Sequence, residues 1–340
     1  MSDARAATAV VFNDTRGERH HGCARVMTAI EALLGGIGVR RIVGVASHHD
    51  WRTDGEVLGS LAAARLVVVN GEGTLHHDAP AAAPLLAVAG EAHRLGIPSA
   101  LVNSVWQDNG PAAAAALREF TLVAARDRRS AAQMRAAGVD CRVVPDLSLW
   151  QPVAATAGTR RGVGFTDSVG RVQAGALVRA RRRSGGAVVP IQRPEPGLVG
   201  AWRFLRGYLG RDDLRDPRAG ASRSVDRWRQ LASSSASVDQ YLARLAGLEL
   251  LVAGRFHACT LALAVGTPFV ALPSNSHKIE ALVEDAGLAS WRVLVEPTAE
   301  AIAEARVAGW SAAERAALDA YLAQAHSGAD ELFRDIGKLL

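Results

Sequence analysis

Short apolar runs alternate with helix-like patterns along most of this chain, and that alternation restricts the fold more than any other feature. The runs are apolar along their length, and the segments between them show helical spacing, as in residues 23–34. Apolar strands separated by helices are typical of a parallel sheet that is covered on both faces. The predicted strands are residues 8–12, 41–46, 65–70, 98–103 and 121–125 in the first half, and residues 162–165, 187–191, 248–253 and 268–272 in the second.

The length of the chain indicates more than one domain. At 340 residues it suits two, and its 49% hydrophobic and 21% charged residues exclude a disordered or fibrous protein. We predict an N-terminal α/β domain in residues 1–150, a C-terminal α/β domain in residues 159–310, and C-terminal helices in residues 311–340. The predicted fold class is α/β, with two doubly wound, Rossmann-like parallel sheets that face each other across a cleft.

Hydropathy and cysteine usage indicate where such a chain resides. No stretch approaches the roughly 20 uninterrupted apolar residues that span a bilayer, and the N-terminus lacks the pattern of a signal peptide. The three cysteines, Cys23, Cys141 and Cys259, are an odd and widely spaced set, which argues against a disulfide framework and a zinc knuckle. We therefore expect a soluble cytoplasmic protein.

Positive charge is concentrated in one part of the second half. The formal net charge is +5, and the segment from Arg179 to Arg229 contains thirteen arginines and five acidic residues. The irregular segment 193–237 is then either a solvated insertion or a surface for anionic lipid, phosphate or a phosphorylated carrier. The second interpretation includes a peripheral contact with an anionic membrane at its inner face. Nucleic acid is not expected, because few aromatic residues interleave with the arginines.

Ligands of open parallel sheets bind beyond the carboxyl ends of the strands, so the residues that follow each predicted strand are candidates for the site. Residues 13–15 and 20–22 would form either an anion site at a helix start or an N-cap turn. Residues 70–78 combine two glycines, which admit a ligand close to the backbone, with several polar side chains. This segment is neither a P-loop nor a dinucleotide fingerprint.

Side chains that could bind a ligand also follow two further predicted strands. Trp106 and Asp108 could bind a sugar by stacking and hydrogen bonding, or Trp106 could be buried between domains. Arg255 and His257 at a helix start would form an anion site with a proton donor, or an interdomain salt bridge. Three histidine pairs, at 20–21, 48–49 and 76–77, each follow a predicted strand, but their spacing does not favour a metal site.

Several of these segments, in this order, resemble the polysaccharide pyruvyl transferase family. Residues 254–272 are similar to its C-terminal hallmark, which reads Arg-x-His-Ala, an apolar helix, Gly-x-Pro and an apolar strand. Lys278 and residues 284–288 resemble the continuation of that hallmark. Residues 70–75 look like the family's Gly-rich turn, with Glu72 at a position where glycine is common. Residues 126–130 and the pair Pro145–Asp146 are similar to its Arg-Asp-x-x-Ser segment.

The resemblance implies a fold like that of GT-B glycosyltransferases, and transfer of pyruvate from phosphoenolpyruvate to a sugar hydroxyl pair of a glycan or lipid-linked glycan, forming a ketal. It implies no cofactor and no metal. The C-terminal domain would then bind the donor and the N-terminal domain the acceptor. We also keep a GT-B glycosyltransferase that uses a nucleotide-sugar, and a non-catalytic module that binds glycan or lipid phosphate.

The candidate residues divide into three roles. His257 would be the general acid, because an imidazole titrates near neutrality. Arg126, Asp127 and Ser130 could simply tie a strand end to its helix. The candidates for the base are Asp14, Glu72 and Asp108. The candidate donor-binding residues are Arg255, Gly254, Lys278, Gly71, Gly73, Thr74 and His76, and the candidate acceptor-binding residues are Asn13, His21, Trp106 and Asp108.

Overall fold

The structure, a computed structural model, describes residues 7–154, 158–193 and 233–340. Two parallel sheets account for the strands in these ranges. The first sheet has the order β2-β1-β3-β4-β5-β6 and the second the order β10-β9-β7-β8. The strands are β1 (Ala7–Asp14), β2 (Val39–Ala46), β3 (Leu66–Glu72), β4 (Ser99–Ser104), β5 (Leu122–Ala125), β6 (Arg142–Val143), β7 (Val163–Ser168), β8 (Ala187–Val188), β9 (Leu250–Gly254) and β10 (Phe269–Ala271).

Helices connect the strands and cover both faces of each sheet. The helices are α1 (His21–Gly36), α2 (Gly55–Ala62), α3 (Ala82–Arg94), α4 (Pro111–Leu117), α5 (Arg128–Ala136), α6 (Arg171–Ser184), α7 (Val238–Ala246), α8 (Phe256–Ala264), α9 (Lys278–Asp285), α10 (Ala299–Ala308) and α11 (Ala312–Gly337). In β1, Val10 and Phe12 face a core with α2 to α5, whereas Ala9 and Val11 face a core with α1. This two-residue period is the one expected of a pleated strand that is buried on both faces.

Each sheet has a topological switch point. At this point two neighbouring strands are followed in the chain by strands on opposite sides of the pair. In the first sheet this point lies between β1 and β3, and in the second between β7 and β9. The carboxyl ends of strands at such a point leave a crevice that binds ligands. The structure brings the two crevices together in one cleft, so the ends of β1, β3 and β9 line a common cavity.

The last helix joins the two halves of the molecule. The first half of α11 packs in the core of the second sheet through Leu318 and Tyr321, and its end packs on the first sheet through Leu332 and Phe333. No helix within the described ranges has both the length and the hydrophobicity to span a bilayer.

The predicted parallel α/β architecture is confirmed, with local differences. The predicted strand at residues 187–191 is shorter, since Pro190 has no N–H group to continue the pairing. Residues 311–340, predicted as C-terminal helices, contain the single helix α11, which is separated from α10 at Gly309, where φ is +53°. The Arg-rich segment 193–237 lies largely outside the described residues, so its predicted contact with an anionic carrier or membrane stays a prediction.

Candidate active site

A cavity of about 690 Å³ lies between the two sheets. One end of it is cationic and the middle is acidic. The far end is formed by the turn after β2 and the start of α3. Its wall includes Asn13, Glu18, His20, Cys23, His48, Trp51, Glu72, Gly73, Thr74, Arg126, Gly254, Arg255, His257 and Lys278.

Arg126 is the deepest cation of the site. It directly follows β5, and its guanidinium lies 4.0 Å from the centroid of the Phe256 ring. Only 3% of Arg126 is exposed, yet its Nε and Nη2 have no hydrogen-bond partner among the described residues. Its Nη1 donates to the Asp146 carboxylate at 3.2 Å. Because a buried unpaired N–H group is costly, these two donors indicate a place for an anion.

Arg255 is already held by a carboxylate. Its Nη2 lies 2.5 Å from Asp167 Oδ2, and its Nε donates to the same oxygen at 3.2 Å. Arg255 is also the N-cap of α8, and its side chain makes no capping hydrogen bond to that helix. Gly254, Arg255, Phe256 and His257 all lie in the wall of the cavity. Anion binding at this helix start stays a prediction, and Asp167 neutralises part of the charge of Arg255.

Lys278 is the third cation. Its Nζ donates to Asn275 Oδ1 at 2.6 Å and would lie 3.6 Å from a Cβ atom placed on Gly73. Burial, together with the nearby Arg126 and Arg255, lowers the pKa of Lys278 to about 7. His76, a predicted donor ligand, is not in the wall of the cavity as the described residues define it. Its Nε2 lies 3.3 Å from Nδ2 of Asn275, the residue that binds Lys278.

His257, the predicted acid, lies where the two domains touch. Its Nε2 is 3.6 Å from Asp146 Oδ1, and its ring forms an edge contact with His20 at 5.3 Å between centroids. Gly22 permits this approach, because a Cβ atom on it would lie 2.3 Å from His257 Cβ. Burial would raise the pKa of Asp146, but His257 and Arg126 hold that pKa well below its usual range. Asp146 therefore remains ionised beside Arg126 and His257.

Glu72 places a carboxylate in the middle of the cavity. Its Oε1 accepts from Thr15 Oγ1 at 2.7 Å and from Asn70 Nδ2 at 3.0 Å, and its Oε2 lies 3.5 Å from the Cys23 thiol. Its φ of +40° is in the left-handed region, which explains why a glycine suits this turn. Asn13 at the neighbouring strand end also has a positive φ, and its Nδ2 donates to Asn70 O at 2.6 Å.

Other predicted site residues are directed elsewhere. The Asp14 carboxylate pairs with Arg16, and His21 is buried against Tyr241, stacked at 4.9 Å between ring centroids. Burial lowers the pKa of His21 to about 4. Trp106 is a core residue with 2% exposure, and it is buried within the N-terminal domain and not between the domains. The structure places none of these three in the wall of the cavity, within the ranges that it describes.

The remaining predicted residues have structural contacts. Asp108 is exposed beside His77, and Gly71 packs on β4, where a Cβ atom would lie 2.5 Å from Ser104 Cβ. Asp127 caps α5 and lies 3.2 Å from His277 Nε2, so it ties the strand end to its helix and to the other domain. We therefore do not assign Asp108, Gly71 or Asp127 to the site.

The residues of the cavity that were not among the candidates include Arg126, Glu18, His20, Cys23, His48 and Trp51. The side chain of His20 caps α1 through Nδ1, and Cys23 is one turn further along that helix. His20, Cys23 and His257 have potential ligand atoms within 4.8 Å of one another. In a tetrahedral zinc site, with ligand bonds of about 2.0–2.3 Å, any two ligand atoms would lie closer to each other than this limit of 4.8 Å.

The fold and the cavity define the class of protein. The UDP-N-acetylglucosamine 2-epimerase of Methanocaldococcus jannaschii, in complex with UDP-GlcNAc and UDP, aligns with a TM-score of 0.52 and 14% identity over 88% of this chain and 91% of its own. The enzyme of Neisseria meningitidis, bound to UDP-GlcNAc, aligns with a TM-score of 0.50 and 10% identity over 97% and 98% of the two chains. At such identities the similarity concerns the fold alone, which is GT-B. No curated protein matches the sequence.

The sequence profile of the family "Polysaccharide pyruvyl transferase" matches residues 21–276. The chain belongs to this family of transferases. The match spans α1, which carries Cys23, as well as Glu72, Arg126 and the Arg255–His257 segment.

Proposed function

We propose that this protein transfers the pyruvyl group of phosphoenolpyruvate to two hydroxyl groups of a sugar, forming a cyclic ketal and releasing phosphate. Family membership supports the reaction class. The observation that carries the donor assignment is Arg126, a buried guanidinium with two unpaired N–H groups at the cationic end of the cavity. Phosphoenolpyruvate brings a carboxylate and a phosphate, and both would find cationic partners there.

Each of the three cations would bind part of the anionic donor. Arg126 offers two N–H groups of a planar fork, which suits an oxyanion in bidentate geometry. Lys278 and the remaining N–H groups of Arg255, with the start of α8, complete the anion site. The Phe256 ring covers one face of Arg126 and restricts its contact with water, so its interaction with an anion is strengthened.

His257 supplies the proton. Ketal formation requires a proton at the methylene carbon while an alcohol oxygen attacks the adjacent carbon. The Asp146 carboxylate lies 3.6 Å from Nε2 of this imidazole. A proton held on the ring can then be donated, which is typically worth about 10²–10⁴-fold in rate.

Glu72 is the base for an acceptor hydroxyl. Thr15 and Asn70 hold one of its oxygens, and the other is next to the Cys23 thiol and the open cavity. Burial raises the pKa of Cys23 well above its usual range, with Glu72 contributing, so the thiol stays protonated and donates to the carboxylate. The acceptor sugar would lie on the His48 and Trp51 side of Glu72, away from the cations.

Mass spectrometry tests the proposal. The protein is incubated with phosphoenolpyruvate and a panel of sugars and lipid-linked sugars, and each product is examined for the mass gain of a pyruvyl ketal, with phosphate release measured in parallel. We expect both signals together, and we expect His257→Ala to lower turnover by about 10²-fold or more while phosphoenolpyruvate still binds. Arg128→Lys, outside the cavity, is the control variant for the preparation.

The same assay separates the alternatives. Release of a nucleoside diphosphate from a nucleotide-sugar, without reaction of phosphoenolpyruvate, would indicate a glycosyltransferase. Binding of both donors without turnover would indicate a non-catalytic module. Either result would contradict the proposed reaction.

A further inference from the structure

Ketal formation removes two protons from the acceptor, one from each hydroxyl group. In the first step one hydroxyl oxygen bonds to C2 of phosphoenolpyruvate, its proton goes to a base, and the C2=C3 electron pair takes a proton from His257, forming a methyl group. In the second step the C2–O bond to phosphate breaks with its electron pair on phosphate. The second oxygen then bonds to C2, and its proton goes to a base. The phosphate takes up one proton and leaves as hydrogen phosphate, so the charges and atoms balance.

The cavity holds a second carboxylate beside Glu72. Glu18 lines the same cavity, and its Oε2 lies 4.0 Å from the Cys23 sulfur, which is itself 3.5 Å from Glu72 Oε2. The two carboxylates thus flank one thiol. Both carboxylates line one cavity, so the two hydroxyls of a single acceptor can contact one carboxylate each.

The backbone holds Glu18 in this position from both domains. Glu18 N donates to Thr15 O at 3.1 Å within a short 3₁₀ turn. The next residue, Arg19, accepts from Arg193 N at 2.8 Å, and His20 pairs with Gln192 of the C-terminal domain. Glu18 is therefore placed by the closed arrangement of the cleft, and not by the N-terminal domain alone.

The charges around Glu18 suit a base. Burial and the neighbouring Glu72 raise its pKa, whereas the Ser47 hydroxyl, His48 and His257 lower it. Arg16 of the same turn is engaged by Asp14 and Glu31 and does not pair with Glu18. Glu18 thus keeps an accessible carboxylate, and a raised pKa makes that carboxylate the stronger proton acceptor.

We propose that Glu18 is a second catalytic base, and that Glu18 and Glu72 each deprotonate one of the two acceptor hydroxyls. This inference rests on the proposed ketal formation. It extends that proposal by assigning the substrate class as a sugar diol whose two hydroxyls are bound at the same time. After each turnover both carboxylates release their protons to water.

The test compares Glu18→Gln, Glu72→Gln and the control Glu56→Gln, which changes an exposed glutamate of α2 outside the cavity. We expect the kcat for ketal formation to fall about 10²-fold or more in the two cavity variants, with the KM for phosphoenolpyruvate within a few-fold of wild type. Glu56→Gln should match wild type. Circular dichroism melting verifies that each variant is folded, since glutamine keeps the size of the side chain.

A single turnover with enzyme in excess identifies the step. Loss of the second base should leave the adduct that still carries phosphate, and loss of the first base should leave unreacted donor. We therefore expect the adduct, detected by mass spectrometry after a basic quench, in one of the two variants. Adduct in both variants or in neither would overturn the division of labour, and a normal kcat in Glu18→Gln would overturn the role of Glu18. A wild-type protein that forms no ketal would instead contradict the proposed function.

Discussion

Arg126 and Arg255 both reach the cavity, but different groups hold their guanidiniums. Asp167 engages Arg255 through two contacts, whereas Arg126 keeps two donors unpaired within the described structure. We predict that Arg126→Lys weakens phosphoenolpyruvate binding more than Arg255→Lys does, because a lysine cannot replace a planar fork. A lost hydrogen bond to a charged group costs about 1.5–3 kcal/mol, which is roughly tenfold or more in Kd.

Titration calorimetry with phosphoenolpyruvate measures both affinities. Arg128→Lys is the matched control, since Arg128 follows Arg126 closely in the chain but its side chain is 66% exposed. Equal, small effects of all three substitutions would remove Arg126 from the donor site.

Lys278 should make donor binding depend on pH. Burial, with Arg126 and Arg255 nearby, lowers its pKa to about 7, so the amine loses its charge as the pH rises above 7. Phosphate monoesters have a second pKa near 6 and are mostly dianionic above pH 7, and arginine stays charged throughout. We therefore expect the affinity for phosphoenolpyruvate to fall between pH 7 and 8.5, approaching tenfold per pH unit. Lys278→Arg should flatten this dependence, and an unchanged slope in that variant would assign the effect to another group.

At the scale of the element, the start of α11 depends on a buried ion pair. Arg292 is fully buried, and it donates to Glu314 through Nε at 2.6 Å and Nη2 at 2.8 Å. Glu314 also completes a capping box with Ser311. The hydrogen bond from Arg292 outweighs burial and lowers the pKa of Glu314 to about 2.

This pair predicts acid sensitivity. The pKa of Glu314 is lower in the folded chain than the value of about 4.3 in an unfolded chain, so its stabilisation is complete above about pH 5 and is lost as the pH falls toward 2. We expect Glu314→Gln to lower the free energy of unfolding at pH 7 by about 3–5 kcal/mol, because the buried charge of Arg292 loses its carboxylate and keeps only the carbonyls of Phe269 and Gly309. Urea unfolding between pH 7 and 3 measures both effects. Glu331→Gln, on an exposed part of the same helix, should behave as wild type; a similar loss there would contradict the prediction.

The elements themselves were predictable to different extents. Continuous apolar runs identified β1, β3 and β9, because a strand buried on both faces needs apolar residues throughout. An apolar run at residues 187–191 also predicted β8, although that strand is shorter. The two-residue strand β6 has no such run, since its pairing depends on β5. Arg126 could have been found by the rule that ligands gather at strand ends, because it directly follows β5.

At the scale of the whole molecule, α11 couples the two domains. Gly328 lies in this helix between the part that packs on the second sheet and the part that packs on the first. A Cβ atom on it would lie 3.7 Å from a methyl group of Val144, an ordinary contact. We expect Gly328→Ala to raise Tm, because alanine favours the helix by up to about 1 kcal/mol over glycine.

Gly328→Pro should have the opposite effect. Proline breaks a helix interior at a cost of about 3 kcal/mol or more, and the two domains would then unfold separately. Scanning calorimetry should show one transition for the wild type and two for the proline variant. A single transition in both would mean that the cleft contacts, and not α11, couple the domains.

Local sequence determined the parallel α/β architecture and the helix start at Arg255 and His257. Both depend on residues that are close together in the chain, through apolar periodicity and the free N–H groups of a helix end. The tertiary structure alone decided which polar side chains reach the cavity. Asp14 turns to Arg16 and Trp106 enters the core, whereas Glu18 reaches the cavity from a turn that both domains hold. Such side-chain directions depend on left-handed backbone at strand ends and on contacts between residues more than 100 positions apart, which no local pattern encodes.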